Sequence, residues 1–264
     1  MTTSLVAGFA QLHASPDVLV LPNAWDAGTA RLMQSLGAKA IATTSSGLAW
    51  VNGYADGHHL PIEVHIAAIR AIARVVTVPI SVDAEGGYDT DPAVVAGNVA
   101  MLAEAGAVGI NLEDGSDDPE LTCAKIAAIR NLGPDLFINA RTDVMLRGLA
   151  PGREVEEILS RAHRYEAAGA SGLFIPGVTD PAMIAAVVVG TRLPVNVMAR
   201  PGLPALADLT SLGVRRLSAG GAIAQAGWGL TGRLAQAFLS QGVTDELFAG
   251  AMAYPDLNAL MGKS

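Results

Sequence analysis

Short runs of Val, Ile and Leu alternate along the chain with longer Ala-rich stretches whose apolar residues recur at helical spacing. The short runs are typical of strands buried on both faces. The eight predicted strands are residues 18–25, 40–47, 78–85, 109–114, 136–143, 172–177, 194–200 and 215–221. Helices are predicted between them, for example over residues 91–107 and 154–170, and several begin at Asp or Asp-Pro and end near Gly.

The alternation of strand and helix predicts parallel pairing, since parallel neighbours need a crossover connection. Eight such units favour closure into a (β/α)₈ TIM barrel over an open doubly wound sheet, and the first strand is followed by NAWDAGTA rather than the Gly-x-Gly-x-x-Gly of dinucleotide-binding folds. We therefore predict a single α/β barrel domain over residues 1–264. Residues 244–262 are predicted to form an extra C-terminal helix, whose apolar face packs under its own barrel or is exchanged with another subunit.

Composition narrows the classes of partner. The 264 residues match the usual size of such a barrel, and 51% hydrophobic against 16% charged residues provides for a large core. A net charge of −8 without basic clusters argues against nucleic acid and anionic membranes as partners, leaving small molecules. The single cysteine excludes an internal disulfide, and neither a signal peptide nor a long apolar span is evident, so we expect a cytoplasmic protein.

Polar side chains gather at the ends of three neighbouring predicted strands. Strand side chains alternate in direction, so every second residue shares a face. The polar residues that share such faces are Ser81, Asp83 and Glu85 on the third strand, Asn111 and Glu113 on the fourth, and Asn139, Arg141 and Asp143 on the fifth. Because barrel active sites lie at the C-terminal ends of the strands, these groups are predicted to share one mouth.

Asp83, Glu85 and Glu113 would place three negative charges close together, an arrangement that raises carboxylate pKa values or recruits a cation. Oxygen ligands favour Mg²⁺, Mn²⁺ or Ca²⁺ over zinc, and a site with few protein ligands suits Mg²⁺, with Mn²⁺ as the alternative. The competing interpretation is an ion-pair layer with Arg141 that only fills the barrel.

The second predicted strand ends in TTSSGLAW. There, a turn at Ser46, Gly47 and Leu48 could present a hydroxyl and backbone N–H groups to an anionic oxygen. The loop that follows carries adjacent His58 and His59, which do not project together as ligands and are predicted to be solvated.

The motifs LPNAWDAGTARL, SSGLAW, VDAEGGYD, GINLEDG and NARTDV, in this order, resemble the isocitrate lyase and phosphoenolpyruvate mutase superfamily. Its members use Mg²⁺ to bind a 2-oxo acid or its enolate and to make or break a C–C or P–C bond. The resemblance implies that Asp83 binds the metal directly, while Glu85 and Glu113 hold metal-bound waters. It also implies a homodimer or homotetramer that exchanges C-terminal helices.

The same resemblance implies that Ser46, Gly47 and Leu48 bind the substrate's carboxylate or enolate oxygen. Arg141 would steady the carbonyl end, and Asp56 would lie at the edge between metal and substrate.

The chain departs from the specialised branches of that superfamily. The lyase loop Lys-[Lys/Arg]-Cys-Gly-His is replaced by GSDDPELTCAKIAAIR, in which Cys123 is predicted to be structural, and the mutase gating loop is missing. We therefore expect a Mg²⁺-dependent lyase that cleaves a C–C bond of a small 2-oxo or 2-hydroxy dicarboxylate through a metal-bound enolate. Arg200 could bind the distal carboxylate or form a surface ion pair.

Two alternatives stay open. The first is P–C chemistry, as in phosphonopyruvate hydrolysis or phosphoenolpyruvate rearrangement, for which the Gly-rich SAGGAIAQAG after the eighth strand resembles a phosphate-binding turn. The second is a non-catalytic protein that binds 2-oxo acids.

Overall fold

The computed structural model describes residues 2–133 and 135–262. Within these ranges, nine strands form one parallel sheet. The strands are β1 (Leu19–Leu21), β2 (Asn23–Ala24), β3 (Ile41–Thr43), β4 (Ile80–Asp83), β5 (Gly109–Glu113), β6 (Phe137–Arg141), β7 (Gly172–Phe174), β8 (Val195–Met198) and β9 (Arg216–Ser218). Their order in the sheet is β1-β9-β8-β7-β6-β5-β4-β3-β2.

The two ends of this order are halves of one predicted strand, divided at Pro22. β1 pairs with β9 and β2 pairs with β3, so the chain itself joins the ends of the sheet across the proline. Proline has no N–H to donate, but the Pro22 carbonyl still accepts a hydrogen bond from the Ala42 N–H at 3.0 Å. The ring thus has eight strand positions, and the predicted TIM-type barrel is confirmed.

Helices connect and surround the strands. They are α1 (Thr2–Ala14), α2 (Ala27–Ser35), α3 (Ser45–Val51), α4 (Ile62–Ala73), α5 (Pro92–Glu104), α6 (Pro119–Leu132), α7 (Val144–Arg147), α8 (Glu154–Ala168), α9 (Pro181–Gly190), α10 (Leu206–Ser211), α11 (Ala222–Gln241), α12 (Asp245–Phe248) and α13 (Tyr254–Met261). As the sequence predicts, α5, α6 and α9 begin with Asp-Pro, and each Asp side chain accepts from a backbone N–H of the first turn.

The two sides of the strands differ in chemistry. The outward residues pack with the helices in two large apolar clusters, one containing Ile80, Val82 and Ile110 and the other containing Leu173 and Val195. The barrel interior beneath the mouth is polar, although branched apolar residues usually fill this place. We call this interior set the polar layer; it consists of Ser81, Asn111, Asn139, Asn196, Arg216 and Ser218, each at most 4% exposed.

Helix α1 covers the N-terminal end of the barrel. Phe9 meets the Phe137 ring edge-on at 5.4 Å between centroids, and His13 stacks on the same ring at 4.1 Å. A Cβ at Gly109 would come within 2.7 Å of the Phe9 ring, so glycine at this strand position permits the close approach. The lower end of the barrel is thereby filled with packed side chains.

The C-terminal segment differs from the prediction. Residues 244–262 form two short helices, α12 and α13, instead of one, and α13 lies against α2, where Arg31 Nε donates to the Leu260 carbonyl at 3.1 Å. Large apolar side chains of this region are exposed, among them Trp228, Phe238, Leu239, Phe248 and Tyr254. In the described ranges, no helix combines the length and apolar character needed to cross a membrane.

Candidate active site

Asp83 is the last residue of β4, whose four residues are all buried. Its backbone N–H donates to Thr43 Oγ1 at 2.9 Å, and its Oδ2 accepts from the Ser45 N–H at 3.1 Å. Oδ1 is buried and has no hydrogen-bond partner among the described residues. A buried carboxylate oxygen without a donor is costly, so this atom marks a place where a ligand is needed.

Glu85 lies beyond the end of β4, in a left-handed backbone conformation with φ of +50°. The prediction that it shares a strand face with Ser81 and Asp83 is therefore wrong, because strand alternation stops at Asp83. Its side chain is nevertheless buried, and it accepts hydrogen bonds from the His58 N–H and from the Tyr88 hydroxyl.

His58 packs over the loop that follows β4. Its Nδ1 lies 3.3 Å from Glu85 Oε2, and its Nε2 accepts from the Gly86 N–H at 2.9 Å. His58 lies in an exposed loop, as predicted, but its ring also contacts both of these partners, which the sequence did not predict. His59 is exposed, as predicted.

Glu113 and Arg141 end neighbouring strands and are paired in register. Arg141 Nη1 lies 2.6 Å from Glu113 Oε2, while its Nε and Nη2 donate to the two oxygens of Asp143 at 2.6 and 3.0 Å. The Phe174 ring lies 5.9 Å from the guanidinium carbon. All three guanidinium nitrogens and one face of the group are thus engaged, which fixes Arg141 in one orientation.

The carboxylates outnumber the nearby cations. Burial raises the pKa of Glu85 to about 7, and the negative charge of Asp83 adds to this effect. Burial also raises the pKa of Glu113; Arg141 opposes the rise, whereas Asp83, Asp143 and Glu85 reinforce it. In residues 2–133 and 135–262, no three acidic, His or Cys side chains are grouped closely enough to hold a metal by themselves. The unpartnered Oδ1 of Asp83, with two further acids nearby, fits a dication that keeps most of its water, as Mg²⁺ does.

A cavity of about 500 Å³ opens at the C-terminal ends of the strands. Of the residues predicted for the site, Ser46, Asp56, Asp83 and Arg141 line it. Glu113 instead lines a neighbouring cavity of about 540 Å³, together with His58 and Tyr88. The structure thus brings Ser46, Asp56 and Arg141 together with Asp83, whereas Glu113 faces the neighbouring cavity and the remaining predicted residues, Gly47, Leu48 and Glu85, line neither.

The predicted turn at residues 46–48 is the first part of helix α3. Ser46 Oγ lies 3.0 Å from Thr44 Oγ1, and the Gly47 N–H falls in the first turn, where helices have no internal acceptor. A Cβ at Gly47 would come within 2.7 Å of the Thr44 side chain. Leu48 donates its N–H to the Thr44 carbonyl and its side chain is fully buried, so the predicted substrate contact from Leu48 is not supported.

Sequence analysis missed the role of Asp114. Its Oδ1 accepts from the Asp143 N–H at 2.8 Å, and its Oδ2 accepts from Arg161 Nη1 at 2.8 Å and from the Tyr165 hydroxyl at 2.6 Å. Asp114 therefore ties helix α8 to the loop that orients Arg141. The Leu-Glu-Asp motif contained a signal for this role. Neighbouring strand residues point in opposite directions, so if Glu113 faces the mouth, Asp114 should face the helices.

The sequence predicts a structural role for Cys123 and leaves two roles open for Arg200. Cys123 lies in α6, packs against the core, and has a thiol whose pKa is raised by burial, which favours a structural role. Arg200 lines the mouth cavity and donates from Nη1 to the Gly177 carbonyl at 2.9 Å.

Without metal, the contribution of Glu85 to the free energy of unfolding should fall as pH rises from about 5 to about 8. Burial raises the pKa of Glu85 from 4.5 to about 7, so in this interval the folded protein holds a proton that the unfolded chain has lost. The loss attributable to Glu85 is about 3 kcal/mol, complete once pH exceeds its folded pKa. Urea titrations in a chelating buffer at several pH values measure it.

The matched variant Glu85→Gln should lack this fall, so that its stability relative to wild type rises with pH, and saturating Mg²⁺ should reduce the fall in the wild type. Without metal, a stability difference between wild type and Glu85→Gln that does not change over this interval would contradict the electrostatic description of the cluster.

Taken together, a (β/α)₈ barrel with acids, an arginine and N–H donors around one mouth cavity defines an enzyme site for a small anionic substrate. The chain belongs to the phosphoenolpyruvate phosphomutase family, whose model matches residues 9–239. This confirms the resemblance to the superfamily of lyases and mutases that the motifs indicate.

Two protein relatives and two structures illustrate the relationship. An uncharacterized protein of Mycobacterium tuberculosis is 38% identical over 256 residues, which is 95% of each chain. Oxaloacetate decarboxylase from a Bradyrhizobium species is 32% identical over 163 residues, which cover 56% of this chain and 54% of that protein.

Among solved structures, a Burkholderia cenocepacia protein provisionally assigned as a phosphonomutase is 40% identical, with a TM-score of 0.83, covering 88% of this chain and 99% of that one. A phosphonopyruvate hydrolase in complex with oxalate and Mg²⁺ has a TM-score of 0.86 at 23% identity, covering 97% of this chain and 94% of that one. At this identity, the second likeness shows a shared fold.

Proposed function

We propose that the protein is a Mg²⁺-dependent lyase that cleaves a C–C bond of a small 2-oxo or 2-hydroxy dicarboxylate through an enolate. The observation that carries this proposal is the buried, unpartnered Oδ1 of Asp83 in the wall of a cavity that Arg141 also lines. A site with these two groups suits a cation and an anionic oxygen side by side.

The metal would be held directly by Asp83, with Glu85 and Glu113 accepting hydrogen bonds from its waters; Mn²⁺ could replace Mg²⁺. When bound, the ion supplies positive charge that polarises the 2-oxo carbonyl and offsets the charge that grows there during cleavage. Its presence would also satisfy Asp83 Oδ1 and relieve the repulsion among the three acids.

The chain's own groups would position the substrate. Arg141, fixed by Asp143, would donate to the carbonyl end, while the Ser46 hydroxyl and the Gly47 N–H would bind a carboxylate oxygen. Leu146 and Phe174 line the same cavity and would exclude water from the developing enolate. Asp56, in an exposed loop that lines the cavity, would lie at the edge between metal and substrate.

The oxaloacetate decarboxylase relative makes oxaloacetate the first substrate to test. We expect Mg²⁺-dependent release of pyruvate from oxaloacetate, or cleavage of another member of a panel of 2-oxo and 2-hydroxy dicarboxylates, above the rate of the metal alone. Calorimetry with Mg²⁺ and oxalate accompanies the assay. Binding of oxalate without turnover of any substrate would favour a non-catalytic binding protein, and the absence of both would contradict the proposal.

Arg200 is proposed to recognise the distal carboxylate, because it lines the cavity on the side away from Asp83's strand. Arg200→Met should raise KM for a dicarboxylate about tenfold with little change in kcat, since a charged hydrogen bond is lost from substrate and transition state alike. Arg200→Lys should recover part of the loss, and a monocarboxylate substrate should be unaffected. An unchanged KM would assign Arg200 to the surface.

One observation favours P–C chemistry as a second candidate. Gly220 and Gly221, which precede helix α11, line the cavity, and the start of a helix of 20 residues can bind a phosphonate or phosphate group. Phosphorus NMR with phosphonopyruvate tests this candidate: release of inorganic phosphate or formation of phosphoenolpyruvate would support it, and an unchanged spectrum would remove it.

A homodimer or homotetramer is proposed because large apolar side chains of α11 and the C-terminal helices are exposed, Phe238 and Leu239 among them. Exchange of the C-terminal helices and the cytoplasmic location stay predictions. Light scattering of the purified protein would determine the number of subunits.

A further inference from the structure

The interior of the barrel contains an arginine that the site described so far does not use. Arg216 begins β9, is fully buried, and extends across the barrel axis to the opposite strands. Its Nη1 donates to Ser81 Oγ at 3.3 Å and its Nη2 to Asn111 Oδ1 at 3.4 Å, while its Nε donates to Ser218 Oγ at 3.0 Å. Ser81 and Asn111 belong to β4 and β5, the strands that end in Asp83 and Glu113.

No carboxylate of the described residues forms an ion pair with Arg216. A buried cation held only by neutral groups is expensive, and burial lowers the pKa of this guanidinium to about 9, with the negative charge of Asp83 opposing the shift. A leucine or methionine would fill the same space at lower cost. The retention of a positive charge at Arg216 therefore suggests that the charge acts on a ligand in the mouth cavity above it.

Asn111 connects Arg216 to that cavity. Its Oδ1 accepts from Arg216 and also from Asn139 Nδ2 at 2.9 Å. A guanidinium can only donate, so the amide oxygen must face Arg216 and the amide nitrogen must face away. Asn111 lines the mouth cavity and is paired in register with Asp83. Its Nδ2 forms no hydrogen bond with a described residue, and it is therefore available to a ligand.

We propose that Asn111 donates a hydrogen bond from Nδ2 to an anionic oxygen of the substrate, and that Arg216 is a positioning residue that fixes this amide and places a positive charge beneath the bound anion. The inference rests on the proposed function and adds a substrate contact to it. It assigns to Asn111 a position between the metal-binding strand end and Arg141, where the charge of a 2-oxo acid would lie.

Calorimetry with oxalate, a planar dianion, tests the proposal on the intact protein. With saturating Mg²⁺, Asn111→Ala should weaken oxalate binding about 10- to 100-fold, the effect of losing a hydrogen bond to a charged group. The affinity for Mg²⁺ without oxalate should change less than about threefold, because Asn111 is not a proposed metal ligand. Asn111→Asp should weaken oxalate binding at least as much, because it replaces the donor by a negative charge.

Arg216→Met should weaken oxalate binding by a similar factor, and Arg216→Lys should recover part of it. The double variant of Asn111→Ala and Arg216→Met should lose no more than the stronger single variant, since the two residues act as one unit. If Arg216→Met does not fold, Arg216→Lys replaces it in the same comparison.

Asn196→Ala is the matched control, because it removes another buried amide of the polar layer that does not line the cavity. It should change the melting temperature but not the affinity for oxalate. Equal oxalate affinity in wild type and Asn111→Ala, or losses that simply add in the double variant, would overturn the inference alone. A wild type that binds no oxalate in saturating Mg²⁺ would overturn the proposed function and this inference with it.

Discussion

Replacement of Asp83 by alanine is expected to lower kcat/KM by about 10³-fold or more and to abolish stabilisation of the protein by Mg²⁺. The variant removes the one buried carboxylate oxygen that has no partner in the described structure, and with it the direct protein ligand of the proposed metal. Metal ions contribute several kcal/mol of charge stabilisation in transition states, which corresponds to a loss of this size. Steady-state assays and thermal melts with and without Mg²⁺ provide the two measurements.

Asp117→Asn is a suitable control, because it removes a negative charge from an exposed position after the neighbouring strand. It should retain activity and Mg²⁺-dependent stabilisation. Asp83→Asn keeps the shape of the side chain and should fall between wild type and the alanine variant in metal affinity. An Asp83→Ala protein that turns over substrate at the wild-type rate would refute the assignment of the metal site.

Replacement of Asp114 by alanine should cost about 3–5 kcal/mol of the free energy of unfolding, the usual effect of removing one partner of a buried ion pair. Arg161 would be left buried with an uncompensated charge on one side, and the Tyr165 hydroxyl and the Asp143 N–H would lose their acceptor. Urea unfolding followed by tryptophan fluorescence measures the change. Activity should also fall, because Asp143 orients Arg141.

Glu157→Gln is a matched control, since Glu157 is the other ionic partner of Arg161, at 2.7 Å, and is one-third exposed. Exposed ion pairs contribute about 0–1 kcal/mol, so this variant should be close to wild type in stability. Equal costs for the two variants would show that the interior network of Asp114 has no special energetic role.

The overall architecture was predictable because each strand-helix unit repeats the same local pattern. Eight such units leave few packing solutions, and the Asp-Pro starts of α5, α6 and α9 mark the helix boundaries independently. The division of the first strand at Pro22 is the exception. The local pattern predicts one strand over residues 18–25. In the barrel, the two halves of this segment pair with different neighbouring strands.

The candidate site was predictable where a side chain is the last residue of a strand, as for Asp83, Glu113 and Arg141. It was not predictable where backbone geometry changes at the strand end. Glu85 reaches the cluster through a left-handed conformation, and His58 arrives from a loop more than 20 residues earlier in the sequence, as its hydrogen bond to Gly86 shows. Arg216 was missed because its partners lie on the far side of the barrel. Strand periodicity shows which face a residue is on, but not which residues meet across the barrel.

The position of helix α1 bears on how substrate reaches the site and how product leaves it. Because Phe9, His13 and Phe137 pack together at the lower end, we expect substrate to enter and product to leave through the mouth cavity at the opposite end. Product that accumulates should therefore compete with substrate for this cavity.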